Sequence, residues 1–478
     1  PRTADRDPAQ LTPLQRLETL CDPGSLEVIR SGVLSGKLGP RARAGDGVVA
    51  GAGAVNGRPV FCYAQDSGFV GGSLGGMHAE TIVRVLGLAA RARAPVVGFV
   101  ASGGARLQEG TGALGGYARI FHEHVQLSGQ VPQVSVIAGT CAGGGSYSPA
   151  LTDYVVMTRN AAMFLTCPSV VRSALGEDVS TAALGGARVH ERNGVCHSVV
   201  DDDRAAAEHV RELLSYLPQN AREDPPPAAP VGPEPGDPAD LVPADSRAVY
   251  DVRDVLARIV DRGSLFEIQP RWARNVVCAF ARLHGRAVGV VANQPRVLGG
   301  VLDADASQKA ARFVRTCNTF NLPLLVFTDT PGFMPGTKQE GAGVIRHGAK
   351  LVYAFAEASV PRLTVVLRKA FGGACIAMNS RDLGAHLTFC WPGAQLGIMG
   401  AYEAVSIALR RELDAGGDGA RERLSGEYAA EHLTAAVAAE TGFVDEIIAP
   451  SETRSRLAWG LSSLAGSTSQ AGPGNIPL

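Results

Sequence analysis

Apolar and polar positions follow two rhythms along this chain. Short, almost wholly apolar runs at residues 95–100 and 133–137 in the first half, and at 322–328 and 362–367 in the second, predict strands buried on both faces. Between them, residues 80–92, 308–318 and 344–358 carry apolar side chains at helical spacing and predict amphipathic helices. Strand and helix in alternation is the α/β pattern. Residues 218–243 break it. This stretch holds Pro225-Pro226-Pro227, then Pro230, Pro233, Pro235 and Pro238, with few apolar residues, and reads as a linker. It separates a first domain, 1–217, from a second, 244–478.

The halves echo each other. Val134-Ser135-Val136-Ile137 leads through a short turn to Gly143-Gly144-Gly145, and Thr364-Val365-Val366-Leu367 leads to Gly372-Gly373-Ala374. Each glycine run precedes a segment that can start a helix, where the first amides have no helical partner. With no side chains in the way, two adjacent amides can point at one oxygen, as in an oxyanion hole. Small residues also serve close helix–strand packing. From the pattern alone both readings stand, and the repetition suggests one duplicated α/β unit with a backbone-amide site in each copy.

Composition narrows the chemistry. Lys and Arg number 45 against 46 Asp and Glu, a formal net charge of -1, so no basic footprint for nucleic acid is expected. No apolar run approaches the ~20 residues of a membrane helix. The polar start, Pro1 to Asp7, lacks a signal-peptide core, which predicts a cytoplasmic protein. The first residue is not Met, so a natural start upstream or a processed end is expected. Nine Cys lie singly, with no Cys-x-x-Cys pair, and His122 and His124 sit two apart in a predicted helix, on different faces. No metal site is expected. Gly71-Gly72-Ser73-Leu74-Gly75 has the G-x-S-x-G form of a serine hydrolase, but Asp66-Ser67-Gly68 is a poor strand end for such an elbow. Gly51-x-Gly53-x-x-Asn56 fails the dinucleotide fingerprint at its last position, and no Walker A sequence occurs. Asp329 and Glu340 could suggest acid/base work, although isolated loop carboxylates more often cap helices or form ion pairs.

The motifs taken together resemble the β subunits of acyl-CoA carboxylases, of the propionyl-CoA carboxylase type. The resemblance rests on Gln65-Asp66 before Gly71-Gly72-Ser73-Leu74-Gly75, on Ser102-Gly103-Gly104-Ala105-Arg106-Leu107-Gln108-Glu109-Gly110, and on Cys141-Ala142-Gly143-Gly144 with Tyr147-Ser148-Pro149-Ala150-Leu151-Thr152-Asp153. In the second half it rests on Val291-Ala292-Asn293-Gln294-Pro295, Lys309-Ala310-Ala311-Arg312-Phe313-Val314-Arg315, Pro331-Gly332-Phe333-Met334-Pro335-Gly336, Gln339-Glu340 and Arg368-Lys369-Ala370-Phe371-Gly372-Gly373-Ala374. It runs from about Leu17 to the closing Gly474-Asn475-Ile476-Pro477-Leu478.

The resemblance implies an α/β fold of two crotonase-like domains in tandem, each a ββα superhelix of the ClpP/crotonase kind. It implies acyl-CoA on the N-terminal domain, with Gly103, Gly104, Ala105, Gly145 and Tyr147 on that side, and biotin entering from the C-terminal domain, with Gly372 and Ile376 near the reaction. By resemblance Gly143 and Gly144 serve the thioester enolate, whereas the internal repeat aligns Gly144-Gly145 with Gly373-Ala374. Gly373 and Ala374 would serve the biotin ureido oxygen. The biotin would ride on a separate carrier, since none of the six Met is followed by Lys. The implied partners are the biotin carboxylase and carrier (α) subunit and further copies of the chain, in a hexamer built as a trimer of dimers with sites between subunits; no nucleic acid, membrane or metal is involved. A decarboxylase subunit shares this chemistry and is the alternative; a non-catalytic assembly protein would not need two intact glycine turns. Where propionyl-CoA enzymes of the family often carry Asp, this chain has Ile376, a departure associated with acetyl-CoA acceptance or a broader range.

Overall fold

The computed structural model describes residues 10–417 and 419–464; the sequence features at Pro1–Asp7 and at the closing Gly474-Asn475-Ile476-Pro477-Leu478 lie outside them. The chain forms two compact units. One reaches to Pro226 and takes in Gln269–Trp272; the other comprises Pro227–Ile268 and continues from Ala273. The boundary falls inside the proline-rich stretch. That stretch is not a free tether. Ala221 N–H donates to the Gln130 carbonyl at 2.9 Å in the first unit, while Ala228 N–H donates to Gly285 O and Glu234 N–H to Ala257 O, both at 2.9 Å, in the second. Proline fixes φ and removes donors, so the remaining amides hold an already stiff segment with few bonds.

The first unit is built on strands β1 (Glu27–Ile29), β2 (Val48–Val55), β3 (Arg58–Gln65), β4 (Val96–Val100), β5 (Gln133–Ile137), β6 (Thr140–Ala142), β7 (Tyr154–Thr158), β8 (Ala162–Phe164) and β9 (Ser198–Val200). Seven of them form one sheet in the order β1-β2-β3-β4-β5-β7-β9, and β6 pairs with β8. β1, β2 and β3 are antiparallel; from β3 onward the pairing is parallel. The β2–β3 hairpin turns through Asn56-Gly57 with φ of 52° and 74°, the left-handed pair a tight two-residue turn requires.

The second unit repeats this plan with β10 (Phe266–Ile268), β11 (Val276–Leu283), β12 (Arg286–Asn293), β13 (Leu324–Thr330), β14 (Arg362–Phe371), β15 (Leu387–Cys390), β16 (Gln395–Gly397) and β17 (Glu446–Ile447). Its sheet runs β10-β11-β12-β13-β14-β15-β17, with β16 on the end of β14. The β11–β12 hairpin turns through His284-Gly285, again left-handed at 50° and 78°. The repetition seen in two sequence segments therefore extends to the whole strand order.

The predicted strands and helices form, with shifted ends. The segment predicted from Glu80 is a helix from Gly76 to Ala92. Glycines weaken that first turn in sequence terms. Its start is secured from outside, where the Glu109 carboxylate accepts the Gly76 N–H at 2.6 Å. The helix buries Ile82, Val85, Leu86 and Ala89 in one core with Val96, Val100 and Ile137. The predicted helices of the second half are Ala304–Thr319 and Val344–Glu357. A separate core there joins Val277, Val290, Leu325, Phe327, Val365 and Leu367. Both cores lie behind parallel strands whose carboxyl ends carry the glycine turns.

Candidate active site

Just beyond β4, Ser102 is buried and opens the loop Gly103-Gly104-Ala105-Arg106. Gly103 donates its N–H to Gly71 O at 3.1 Å, and a Cβ there would fall 2.6 Å from that oxygen. Gly104 has φ +98° and its carbonyl accepts from Leu74 N–H at 2.8 Å; Ala105 bridges Leu74. The loop is bolted down by Arg106. Its buried guanidinium meets Asp46 at 2.6 Å and Glu109 at 2.9 Å, and donates to Ser73 O at 3.0 Å. Burial pushes the Glu109 carboxyl up, but the Gly76 amide, the Ser35 hydroxyl and Arg106 outweigh it and hold the carboxyl below its usual range.

The next crossing carries the first turn. Gly143, at φ 57° and ψ −129°, follows β6 and precedes the helix Gly144–Ala150. Its own N–H is engaged, donating to Phe164 O at 3.1 Å. The N–H groups of Gly144 and Gly145 have no backbone acceptor among the described residues. A Cβ on Gly144 would lie 2.9 Å from the Tyr117 ring, and one on Gly145 would lie 3.2 Å from Ser102 Cβ. Close packing thus needs these glycines whatever the amides do. Tyr147, half-exposed, stands edge-on to Phe121 at 6.1 Å.

In the second unit β14 ends at Phe371, opposite Gly397 of β16. Gly372 follows at φ 59° and begins the helix Gly372–Ala377. Gly373 is less confined, since a Cβ there would meet only the Phe333 ring, at 3.8 Å. Ala374 is buried. The turn borders an apolar cleft of about 520 Å³ lined by Gly372, Gly373, Ile376, Leu396, Val437 and Phe443, among others. Ile376 stands half-exposed in its wall. Burial pushes the thiol of Cys375 beside it up to about 12.

A family model, the carboxyl transferase domain, matches residues 4–471. The chain belongs to the carboxyl transferase family. It is 48% identical over 446 residues to a propionyl-CoA carboxylase carboxyltransferase subunit of Haloferax mediterranei, covering 91% of this chain and 86% of that one. It is 45% identical to the methylmalonyl-CoA decarboxylase subunit alpha of Veillonella parvula, with the same two coverages. A crystal structure of the transcarboxylase 12S hexamer with methylmalonyl-coenzyme A and methylmalonic acid bound superposes with a TM-score of 0.93 at 45% identity, over 98% of this chain and 93% of that one. The protein is therefore a biotin-dependent carboxyltransferase of the propionyl-CoA carboxylase type, with the crotonase-like fold of that family.

Within this carboxyltransferase, the first unit gathers Gly103, Gly104 and Ala105 with the turn Gly143-Gly144-Gly145, because the carbonyl of Ser102 accepts the Ala142 N–H at 2.9 Å. The second gathers Gly372, Gly373 and Ile376 around one cleft. Ser73 makes no hydrolase elbow: its hydroxyl donates to Val70 O at 2.8 Å inside its own turn. Asp329 and Glu340 are not a pair. Asp329 is buried against Arg368 at 3.0 Å and Tyr250 at 2.8 Å, while Glu340 is exposed. Among the described residues no cluster of His, Cys, Asp or Glu could hold a metal, and no helix is long and apolar enough to cross a membrane. Sequence reasoning missed Arg106 and Glu109 as supports of the Gly103–Ala105 loop and Tyr117 as the support of the first turn. Arg106 and Glu109 stood inside a quoted motif, and their signal was two charged residues three apart beside a glycine loop. Tyr117 gave no signal.

Proposed function

We propose that this protein moves CO2 from carboxybiotin, carried on a separate protein, to the α-carbon of a short acyl-CoA. Acetyl-, propionyl- and butyryl-CoA would give malonyl-, methylmalonyl- and ethylmalonyl-CoA. One observation carries the reading. Two matching glycine turns, one per unit, each place a glycine of positive φ (Gly143 and Gly372) ahead of small residues at a helix start. The chemistry needs two oxyanions stabilised, and aimed backbone donors do this without titrating.

The first turn would hold the thioester oxygen as the enolate forms. Gly144 is common to the pair implied by the resemblance and the pair aligned by the repeat, and the engaged amide of Gly143 favours Gly145 as its companion. Gly103, Gly104, Ala105 and Tyr147 would border the acyl-CoA. In the second unit, the amides of Gly373 and Ala374 would face the ureido oxygen. The free space over Gly373 and the apolar walls around Ile376 suit a compact, mostly apolar ring system. Carboxybiotin supplies the CO2, and the nitrogen it frees supplies a base for the α-proton, so the chain need provide no side-chain base. What the chain contributes is donors, alignment and a dry wall; holding both reactants together accounts for much of the remaining rate.

The working assembly would be a hexamer, a trimer of dimers with sites between subunits, acting with a biotin carboxylase and carrier (α) subunit. The hexameric 12S structure supports that expectation. The likeness to a methylmalonyl-CoA decarboxylase subunit supports a second reading, the same transfer run toward carboxybiotin. The test is to supply a carrier bearing labelled carboxybiotin with a panel of acyl-CoAs. Label should enter the acid-stable carboxyl of a malonyl-type thioester; label retained on the carrier with every thioester would rule the proposal out.

A further inference from the structure

Three hydrogen bonds converge on one buried serine beneath the first glycine turn. Ser102 takes the Ala142 N–H on its carbonyl at 2.9 Å. Its Oγ accepts the Gly104 N–H at 3.3 Å and lies 2.8 Å from the Tyr117 hydroxyl. Tyr117 comes from a different element, the helix Thr111–Leu127, and is itself buried. Its ring fills the space under Gly144, 2.9 Å from where a Cβ would sit, and its hydroxyl lies 3.4 Å from the corresponding point on Gly145. Loop, helix and turn therefore meet at a single hydroxyl pair. Burial pushes the tyrosine hydroxyl up to about 12, so it stays protonated across the working pH range.

We infer that Tyr117 and Ser102 are positioning residues for the first amide turn: the ring sets the height of Gly144, and the hydroxyl pair fixes that ring to the loop carrying Gly104. Neither side chain is asked to touch the substrate. Each acts through the direction in which the Gly144 and Gly145 amides point. At Gly373 of the second turn the nearest group among the described residues is the Phe333 ring, 3.8 Å from the Cβ position, ordinary contact distance. The asymmetry has a chemical sense. An enolate oxygen on a small thioester has little else to locate it, whereas a bicyclic ring in an apolar cleft is located by its walls.

The inference rests on the proposed role of the first turn, and its test separates the two. Wild-type enzyme is first assayed for carboxyl transfer from methylmalonyl-CoA to free biotin; no transfer there would overturn the proposed function itself. With transfer established, Tyr117→Phe, Ser102→Ala and the double variant are compared. Each single change should lower kcat roughly 10- to 100-fold, the scale of a small misplacement near the chemistry. KM for the thioester and for biotin should stay within about twofold, because bound and free ground states do not use the strut. The double variant should lose little more than Ser102→Ala alone, since that change already removes the hydroxyl pair along with the Gly104 bond. Tyr117→Leu, which removes the ring as well, should lose more. Unchanged kcat in Tyr117→Phe, or losses that multiply in the double variant, would overturn the inference. So would a fall in kcat that merely follows the fraction of protein unfolded in a melting curve.

Discussion

Gly143 and Gly372 share a positive φ, 57° and 59°, at the same point of two repeated strand plans. Each follows the end of a strand paired in parallel with a short neighbour, β8 in one case and β16 in the other. Few residues other than glycine tolerate this conformation. The equivalence ties Gly144-Gly145 to Gly373-Ala374 and underlies the two-turn account of the chemistry.

The turns differ in what their glycines are for, and substitution should separate the causes. Gly373 has room for a side chain, with its nearest neighbour at 3.8 Å. Gly373→Val should fold with a near-normal melting temperature yet lose transfer by roughly 100-fold or more, the scale for one lost oxyanion donor. Paired melting curves and kcat values are the measurement. Near-normal turnover in a folded variant would remove that turn from the mechanism.

Gly144→Ala should behave in the opposite way. Its methyl would press on the Tyr117 ring from 2.9 Å, and overpacking of this kind costs about 1–3 kcal/mol. Denaturant unfolding should show that loss of stability, together with a loss of activity.

Ile376 lines the cleft beside Gly373 and should shape chain-length preference. Asp at this position would be costly unless hydrogen-bonded. Ile376→Asp should change the ratios of kcat/KM among acetyl-, propionyl- and butyryl-CoA, with acetyl- and butyryl-CoA losing more than propionyl-CoA. A methylene in an apolar pocket is worth only ~1–3 kcal/mol, so ratio changes of roughly 10-fold are the expected scale. Unchanged ratios with a lowered melting temperature would make Ile376 a packing residue.

Glu109 should make stability acid-sensitive. Its carboxyl is held below the reference value of 4.5, despite burial, by Gly76, Ser35 and Arg106. A depressed folded pKa contributes stability that is complete above the unfolded value and is lost as pH falls through the folded one. Urea unfolding at a series of pH values below 4.5 should therefore show a shallower acid loss for Glu109→Gln than for wild type. Identical pH slopes would mean that the carboxylate contributes nothing through ionisation.

Much of this was legible in sequence because apolar runs report burial directly. β5 was read at both ends, and β4 to within one residue, since strands buried on both faces are apolar throughout. The start of the Gly76–Ala92 helix was not legible, because its cap is a carboxylate 33 residues away. The sequence reads Asp329 as a loop carboxylate, more often a cap or an ion-pair partner than an acid/base group; it lies instead in β13 and pairs with Arg368. The engaged amide of Gly143 was hidden too. The acceptor that occupies it, Phe164 O, comes from a strand no local pattern connects to the turn. Tyr117 was invisible for the same reason: its value lies in what it supports across the fold, not in its neighbours along the chain.

The central claim is that the two turns serve one transfer between a CoA thioester and biotin. The most direct test is to give the enzyme methylmalonyl-CoA labelled in its free carboxyl, with and without biotin. The account predicts that label leaves the thioester only when biotin is present, that it appears as carboxybiotin, and that Gly373→Val abolishes the exchange while still binding the thioester with unchanged affinity. Release of label at the same rate without biotin, or full exchange in Gly373→Val, would contradict it.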